Sequence, residues 1–208
     1  KAFNLDKTQS QLDFVDVFLD ADLPLFIDPF ALKLRTDTWS HTASATLIQF
    51  FDTLIALIRD NDLSNARSLL RHLKEPNEIR FGLSSGKPNG AGIGSGQADQ
   101  LFAAFKDSSA VKTGFLNALE DCELMVEGIA RDKISDLTVN VIRKHLIEYT
   151  REQCLLHDIP LQEVAMPPFF DINEEEWKIE YGQLPAFNDS ILILVPKTIA
   201  RYKTVLNH

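Results

Sequence analysis

Leu47-Ile48-Gln49-Phe50-Phe51-Asp52-Thr53-Leu54-Ile55-Ala56-Leu57-Ile58 puts apolar side chains at 47, 50, 51, 54, 57 and 58, the three-to-four spacing of one helix face. Thr36, Asp37, Thr38 and Ser40 just upstream are residue types that cap helix N-termini, so the spacing predicts a long amphipathic helix from the 36–40 region to about Arg59. Around it, a second helix is expected over residues 64–73. It should stop near Glu75, because the residue before Pro76 is pushed out of the helical region. Further helices are expected over 98–106, over 113–127 and from about Ser135, the last carrying Leu137, Val141, Ile142, Leu146, Ile147 and Tyr149.

The two ends of the chain have a different character. Residues 14–19 and 25–30 are rich in Val, Ile and Phe and flank the turn-prone Asp20-Ala21-Asp22-Leu23-Pro24, which predicts a hairpin. Pro160, Pro167 and Pro168 mark a loop. Residues 177–181 and 191–195 look like strands, with Asn188-Asp189 in the turn between them. The expected class is therefore α+β: a helical central region with a small, mostly antiparallel sheet from the N-terminal hairpin and the C-terminal strands, in a single domain over 1–208.

Composition narrows the function classes. The 208 residues are 45% hydrophobic and 25% charged, enough for a sizeable core. The apolar runs 46–58 and 191–195 are too short to span a bilayer, and the N-terminus lacks the basic-then-apolar order of a secretory signal. A cytoplasmic protein without a membrane partner is expected, and its first residue, Lys1, suggests a piece of a longer chain with additional domains or a protein partner. Cys122 and Cys154 have no companion Cys or His at metal-ligand spacing and read as buried thiols. The net charge of −9 opposes a broad nucleic-acid-coating surface and leaves room for a localised one. Because 67–80 and 133–144 are relatively basic, an anion such as DNA or RNA should meet the middle of the chain.

Six of the nine glycines fall between Gly82 and Gly96, where close approach of a backbone or a phosphate is sterically open. Within that run, Gly92-Ile93-Gly94-Ser95-Gly96-Gln97-Ala98-Asp99-Gln100-Leu101 resembles the hairpin and second-helix start of helix-hairpin-helix motifs. The resemblance implies phosphate contact by Gly92, Gly94 and Ser95, with Lys87 assisting. Residues 84–91, where that family has a helix, are dominated by glycine, serine, proline and asparagine.

Two acidic constellations suggest a divalent cation. A hairpin pairing about Asp22 would set Asp16 opposite Asp28, two carboxylates whose repulsion Mg²⁺ would relieve. Asp132, Asp136 and Asn140 have i, i+4, i+8 spacing on one helix face, beside Glu127 and Lys133. With Glu180 or Lys197 they supply ingredients that resemble those of PD-(D/E)XK nucleases, which implies metal on the acids and a catalytic role for Lys133 or Lys197. Arg67-Ser68-Leu69-Leu70-Arg71-His72 has the Arg-x4-His form of HEPN-type ribonucleases, which act without metal. His145, Glu148 and His157 lack zinc-type spacing. The leading expectation is a bacterial cytosolic domain acting on nucleic acid or another phosphate ligand, as a Mg²⁺-dependent nuclease of a defence or mobile-element system. The alternatives are a non-catalytic protein-interaction module and a HEPN-like RNase.

Overall fold

Asp37 accepts a hydrogen bond from the Ser40 N–H at 2.9 Å and so starts α2, Thr38–Arg59, at the position its sequence predicts. In the computed structural model, residues 3, 5–82, 95–108 and 131–202 are described, with side chains from 99 and from 133 onward in the last two stretches. The expected helix over 113–127 lies outside them. Ahead of α2 comes the short α1, Pro29–Lys33; after it come α3, Leu63–Leu70, α4, Ser95–Asp107, α5, Arg131–Val141, and α6, Arg143–Leu156.

The class is α+β, as expected. One face of α2 is buried through Ala43, Leu47, Phe50, Phe51, Leu54, Ile55 and Ile58, and it packs against α1, α3, α4 and α5. At 22 residues α2 is long and apolar enough to cross a membrane by length and composition. Its buried face here belongs to the main core: Phe50 meets Phe170 edge-on at 5.0 Å and Phe51 meets Phe105 at 5.4 Å. A smaller cluster gathers Leu12, Phe14, Cys154, Ile159 and Leu194. Cys154 is inert there, because burial pushes its thiol up to about 12.

Among the described residues, four two-stranded antiparallel ribbons take the place of the single sheet that was expected. β1, Leu25–Ile27, pairs with β8, Ala200–Tyr202; β2, Gln162–Ala165, with β5, Tyr181–Leu184; β3, Phe169–Asp171, with β4, Glu176–Lys178; and β6, Ala186–Phe187, with β7, Ser190–Ile191. The β6–β7 turn is Asn188-Asp189, with φ of 47° and 61°, the double left-handed geometry of a two-residue hairpin turn that Asn and Asp tolerate best. Residues 192–195 are buried yet form no ladder. Their donors go elsewhere, Ile193 N–H to the Glu78 carbonyl at 2.9 Å and Leu194 N–H to the Thr150 hydroxyl at 2.9 Å.

The N-terminal hairpin does not form. Phe14 makes an isolated bridge to Pro196, Val15 N–H reaches the Val195 carbonyl at 2.9 Å, and Leu23 bridges Phe81 in parallel. Phe14 and Val15 are buried and bridge the C-terminal chain, while 25–27 pair with 200–202, so the two runs take different partners. α3 also ends early, at Leu70 rather than near Glu75. Asn140 supplies the reason: its side chain accepts from the Lys74 N–H at 3.2 Å and donates to the Lys74 carbonyl at 2.6 Å, taking that backbone into a tertiary contact. Nor does the last helix start at Ser135. That residue lies inside α5, and its hydroxyl accepts the Ile27 N–H of β1 at 2.9 Å.

Candidate functional site

Past α3 the chain makes a single 3₁₀ turn, Asn77–Ile79, and then Arg80 adopts left-handed backbone angles, φ 58° and ψ 37°. For a residue with a long side chain this costs about 1 kcal/mol and persists only where the surroundings enforce it. The enforcement is visible on both sides: Leu23 N–H donates to the Arg80 carbonyl at 2.9 Å, and Gly82 N–H donates to the Leu23 carbonyl at 2.8 Å. The consequence is that the Arg80 side chain turns inward. The residue is only 6% exposed, and its Nε finds no hydrogen-bond acceptor.

Two residues before it, Glu78 is engaged by another partner. Arg143, 2% exposed at the start of α6, donates Nε–H to Glu78 Oε1 at 2.8 Å and Nη2–H to Asn140 Oδ1 at 2.9 Å, and Nη1–H to the Pro168 carbonyl. Asn140, fully buried, also donates to the Asp136 carbonyl at 2.6 Å. The network holds Lys74 and Glu78 on either side of Pro76 and fixes the turn that presents Arg80. Glu78 pairs with Arg143 and makes no ion pair with Arg80. No ion pair reaches Arg80 among the described residues.

Arg80 instead lines a pocket of about 370 Å³. Asn77 and Glu78 line it from the Arg80 side of the chain, and Asn188, Asp189 and Ser190 of the β6–β7 hairpin line it too. The exposed Asp20 also borders it, and Leu19, Pro167, Phe187 and Ile191 supply apolar surface. This is a concave site with a few polar groups set among apolar ones, the usual make-up of a small-molecule pocket. An arginine only 6% exposed, whose buried Nε has no acceptor, is the feature that sets it apart.

The residues singled out from sequence fall elsewhere. Asp28 caps α1, accepting from Phe30 N–H at 3.0 Å, and lies 3.6 Å from Arg201. Asp16 is exposed on a stretch that is not a strand, and without the hairpin nothing sets it opposite Asp28. Lys197 Nζ donates to the Gln9 carbonyl. Asp132 and Asp136 are one turn apart on α5, with Lys133 part-buried beside them; Asn140, the third member of that face, is consumed by Lys74 and Arg143. Lys87, Gly92 and Gly94 lie outside the described residues, as do the side chains of Ser95 and Asp132. Among the described residues, no three His, Cys, Asp or Glu side chains gather as a metal site would require.

The Arg67/His72 pair is separated by its contacts. Arg67 sits 3.3 Å from Asp99 and 4.8 Å over the Phe102 ring of α4, whereas His72 stacks on Trp177 at 5.4 Å in a different groove. Burial, helped by Lys74, lowers the His72 imidazole below its ordinary value. His145 is also lowered, by burial and then by Lys144, while its Nε2 shares a hydrogen bond with the Thr46 hydroxyl at 2.8 Å. Asp171 is lowered chiefly by its hydrogen bond with Lys144 at 3.0 Å, aided by the N–H groups of Asn173 and Glu174.

These shifts share one sign. A histidine or carboxylate held below its unfolded value contributes stability that is present above that value and lost as pH falls. Urea titrations should show a first loss below about pH 6.5, from His145 and His72, and a second below about pH 4, from Asp171 and Asp37. Asp171→Asn should flatten the second step; an unchanged acid limb would remove Asp171 from this account.

Residues 4–207 match the family described as Domain of unknown function (DUF8370), and the chain belongs to that family. Comparison with curated proteins and with solved structures gives no significant match.

Proposed function

We propose that this member of the DUF8370 family is a ligand-binding domain that holds an anionic group, phosphate or carboxylate, on the Arg80 guanidinium. One observation carries the reading: Arg80 is 6% exposed, has an Nε with no acceptor and lines an open pocket. Leaving the buried Nε–H without an acceptor costs about 1–3 kcal/mol, and a planar guanidinium matches a carboxylate or phosphate with two parallel hydrogen bonds. An incoming anion offsets that cost. The overall charge of −9 repels long polyanions and favours a small ligand at a local positive site.

A second reading keeps the Mg²⁺-dependent action on nucleic acid, favoured by the placement of Asp132 and Asp136 one turn apart on α5. A single thermal-shift series separates the two. Under the first, inorganic phosphate or acetate raises the melting temperature of the wild type, by the equivalent of about 2.7 kcal/mol at a hundred times Kd, and Arg80→Gln abolishes the rise. An equal rise in Arg80→Gln would overturn the anion site. A rise with Mg²⁺ or Mn²⁺ that disappears in Asp136→Ala would favour the metal reading instead.

A further inference from the structure

The pocket that encloses Arg80 also contains charges of the opposite sign that do not neutralise it. Asp20 and Asp189 line the same space, yet neither forms an ion pair with Arg80 among the described residues. Glu78, the third acid, is bound to Arg143 at 2.8 Å. Leu19, Phe187 and Ile191 add apolar surface to the same lining, beside the polar Asn77, Asn188 and Ser190. One cavity thus presents a buried guanidinium, separate carboxylates nearer the solvent and a partly apolar lining.

Each pole sits on a constrained backbone. Arg80 is held in the left-handed region by the hydrogen bonds between Leu23 and the Arg80–Gly82 segment. Asp189 occupies the second left-handed position of the β6–β7 turn, φ 61°. Positive and negative groups thus line one pocket from two ordered segments without pairing with each other among the described residues. A ligand complementary to it carries an anionic group and a cationic group on one small frame, with an apolar portion.

We propose that the ligand is a free α-amino acid with an apolar side chain, its carboxylate on Arg80 and its ammonium group facing Asp189 and Asp20. This rests on the anion-binding reading above and narrows it. The size agrees: about 370 Å³ is near the lower end of small-molecule pockets, which run from roughly 300 to 1,000 Å³. A carboxylate alone would leave Asp20 and Asp189 facing it, and a phosphate would meet the same repulsion with more charge. An amine alone would leave Arg80 buried without a partner.

The test is titration calorimetry of the full chain with L-leucine, N-acetyl-L-leucine, isopentylamine and inorganic phosphate. The expected order has L-leucine tightest, with N-acetyl-L-leucine and isopentylamine each weaker by about tenfold or more, since each lacks one charge-assisted hydrogen-bonding group. Arg80→Gln should lose L-leucine binding. The double change Asp20→Asn with Asp189→Asn should bring L-leucine down to the affinity of its N-acetyl form and leave the N-acetyl form unweakened. Asn tolerates the left-handed turn position, so this variant keeps the fold, and circular dichroism checks it for Arg80→Gln. If N-acetyl-L-leucine or phosphate binds as tightly as L-leucine in an Arg80-dependent way, the amino-acid assignment is overturned while the anion site stands. If neither L-leucine nor phosphate binds, both readings are overturned.

Discussion

Arg143→Ala is expected to cost about 3–5 kcal/mol of folding stability, the largest loss from any single charged residue described. Arg143 is 2% exposed and donates to Glu78, Asn140 and the Pro168 carbonyl together. Truncation leaves a carboxylate that is itself largely enclosed without its countercharge, takes one of two donors from the buried Asn140 amide oxygen, which keeps the Lys74 N–H, and takes a donor from the Pro168 carbonyl. The pair itself need not be strongly stabilising, because both ions are desolvated on folding. That gives a sharper comparison: the double change Arg143→Met with Glu78→Leu should be less destabilising than Arg143→Ala alone. Urea unfolding followed by circular dichroism measures both. A loss below 1 kcal/mol for Arg143→Ala would mean that the network does not hold the segment from Lys74 to Glu78, and the argument for a rigid Arg80 would fall with it.

Phe50→Ala should cost a similar amount, about 3–5 kcal/mol, for a different reason. Phe50 is fully buried at the centre of α2, with Phe170 at 5.0 Å and Trp177 at 6.0 Å, both edge-on. Its removal opens a cavity among rings pinned by other contacts, for Trp177 also donates its Nε1–H to the Leu69 carbonyl at 2.9 Å. Collapse into the space is therefore incomplete. Ile48, two residues earlier and 45% exposed, gives the control: Ile48→Ala should stay within about 0.5 kcal/mol. Tryptophan fluorescence should report the loss in Phe50→Ala, since Trp177 borders the site of the deletion. Equal effects at positions 48 and 50 would contradict the assignment of the buried face.

The helix that organises the core was legible because its signals are local. The 47-50-51-54-57-58 spacing marks its face and Asp37 its start. The Asn188-Asp189 turn was legible for the same reason, as two residues that tolerate left-handed angles, but it joins strands 186–187 and 190–191 rather than the expected 177–181 and 191–195. The hairpin expected at 14–30 was a misreading of equally real β-propensity: Phe14 and Val15 found partners at Pro196 and Val195, about 180 residues away in sequence. The acids proposed as a metal pair went with it, since Asp28 caps α1 and Asp16 lies exposed.

The candidate pocket had no comparable local mark. Arg80 closes the basic stretch 67–80 and Arg143 lies within the basic stretch 133–144, so the sequence placed positive charge in the right regions but gave no sign of which arginine would be satisfied and which would not. That distinction depends on Glu78 meeting Arg143 across 65 positions and on the β6–β7 turn arriving opposite Arg80. Class, core helix and turn chemistry follow from interactions within a few residues, where spacing and capping are enough. The buried, unpaired guanidinium arises from packing between distant segments, because the partner of a charge inside a protein is chosen by which chains meet there.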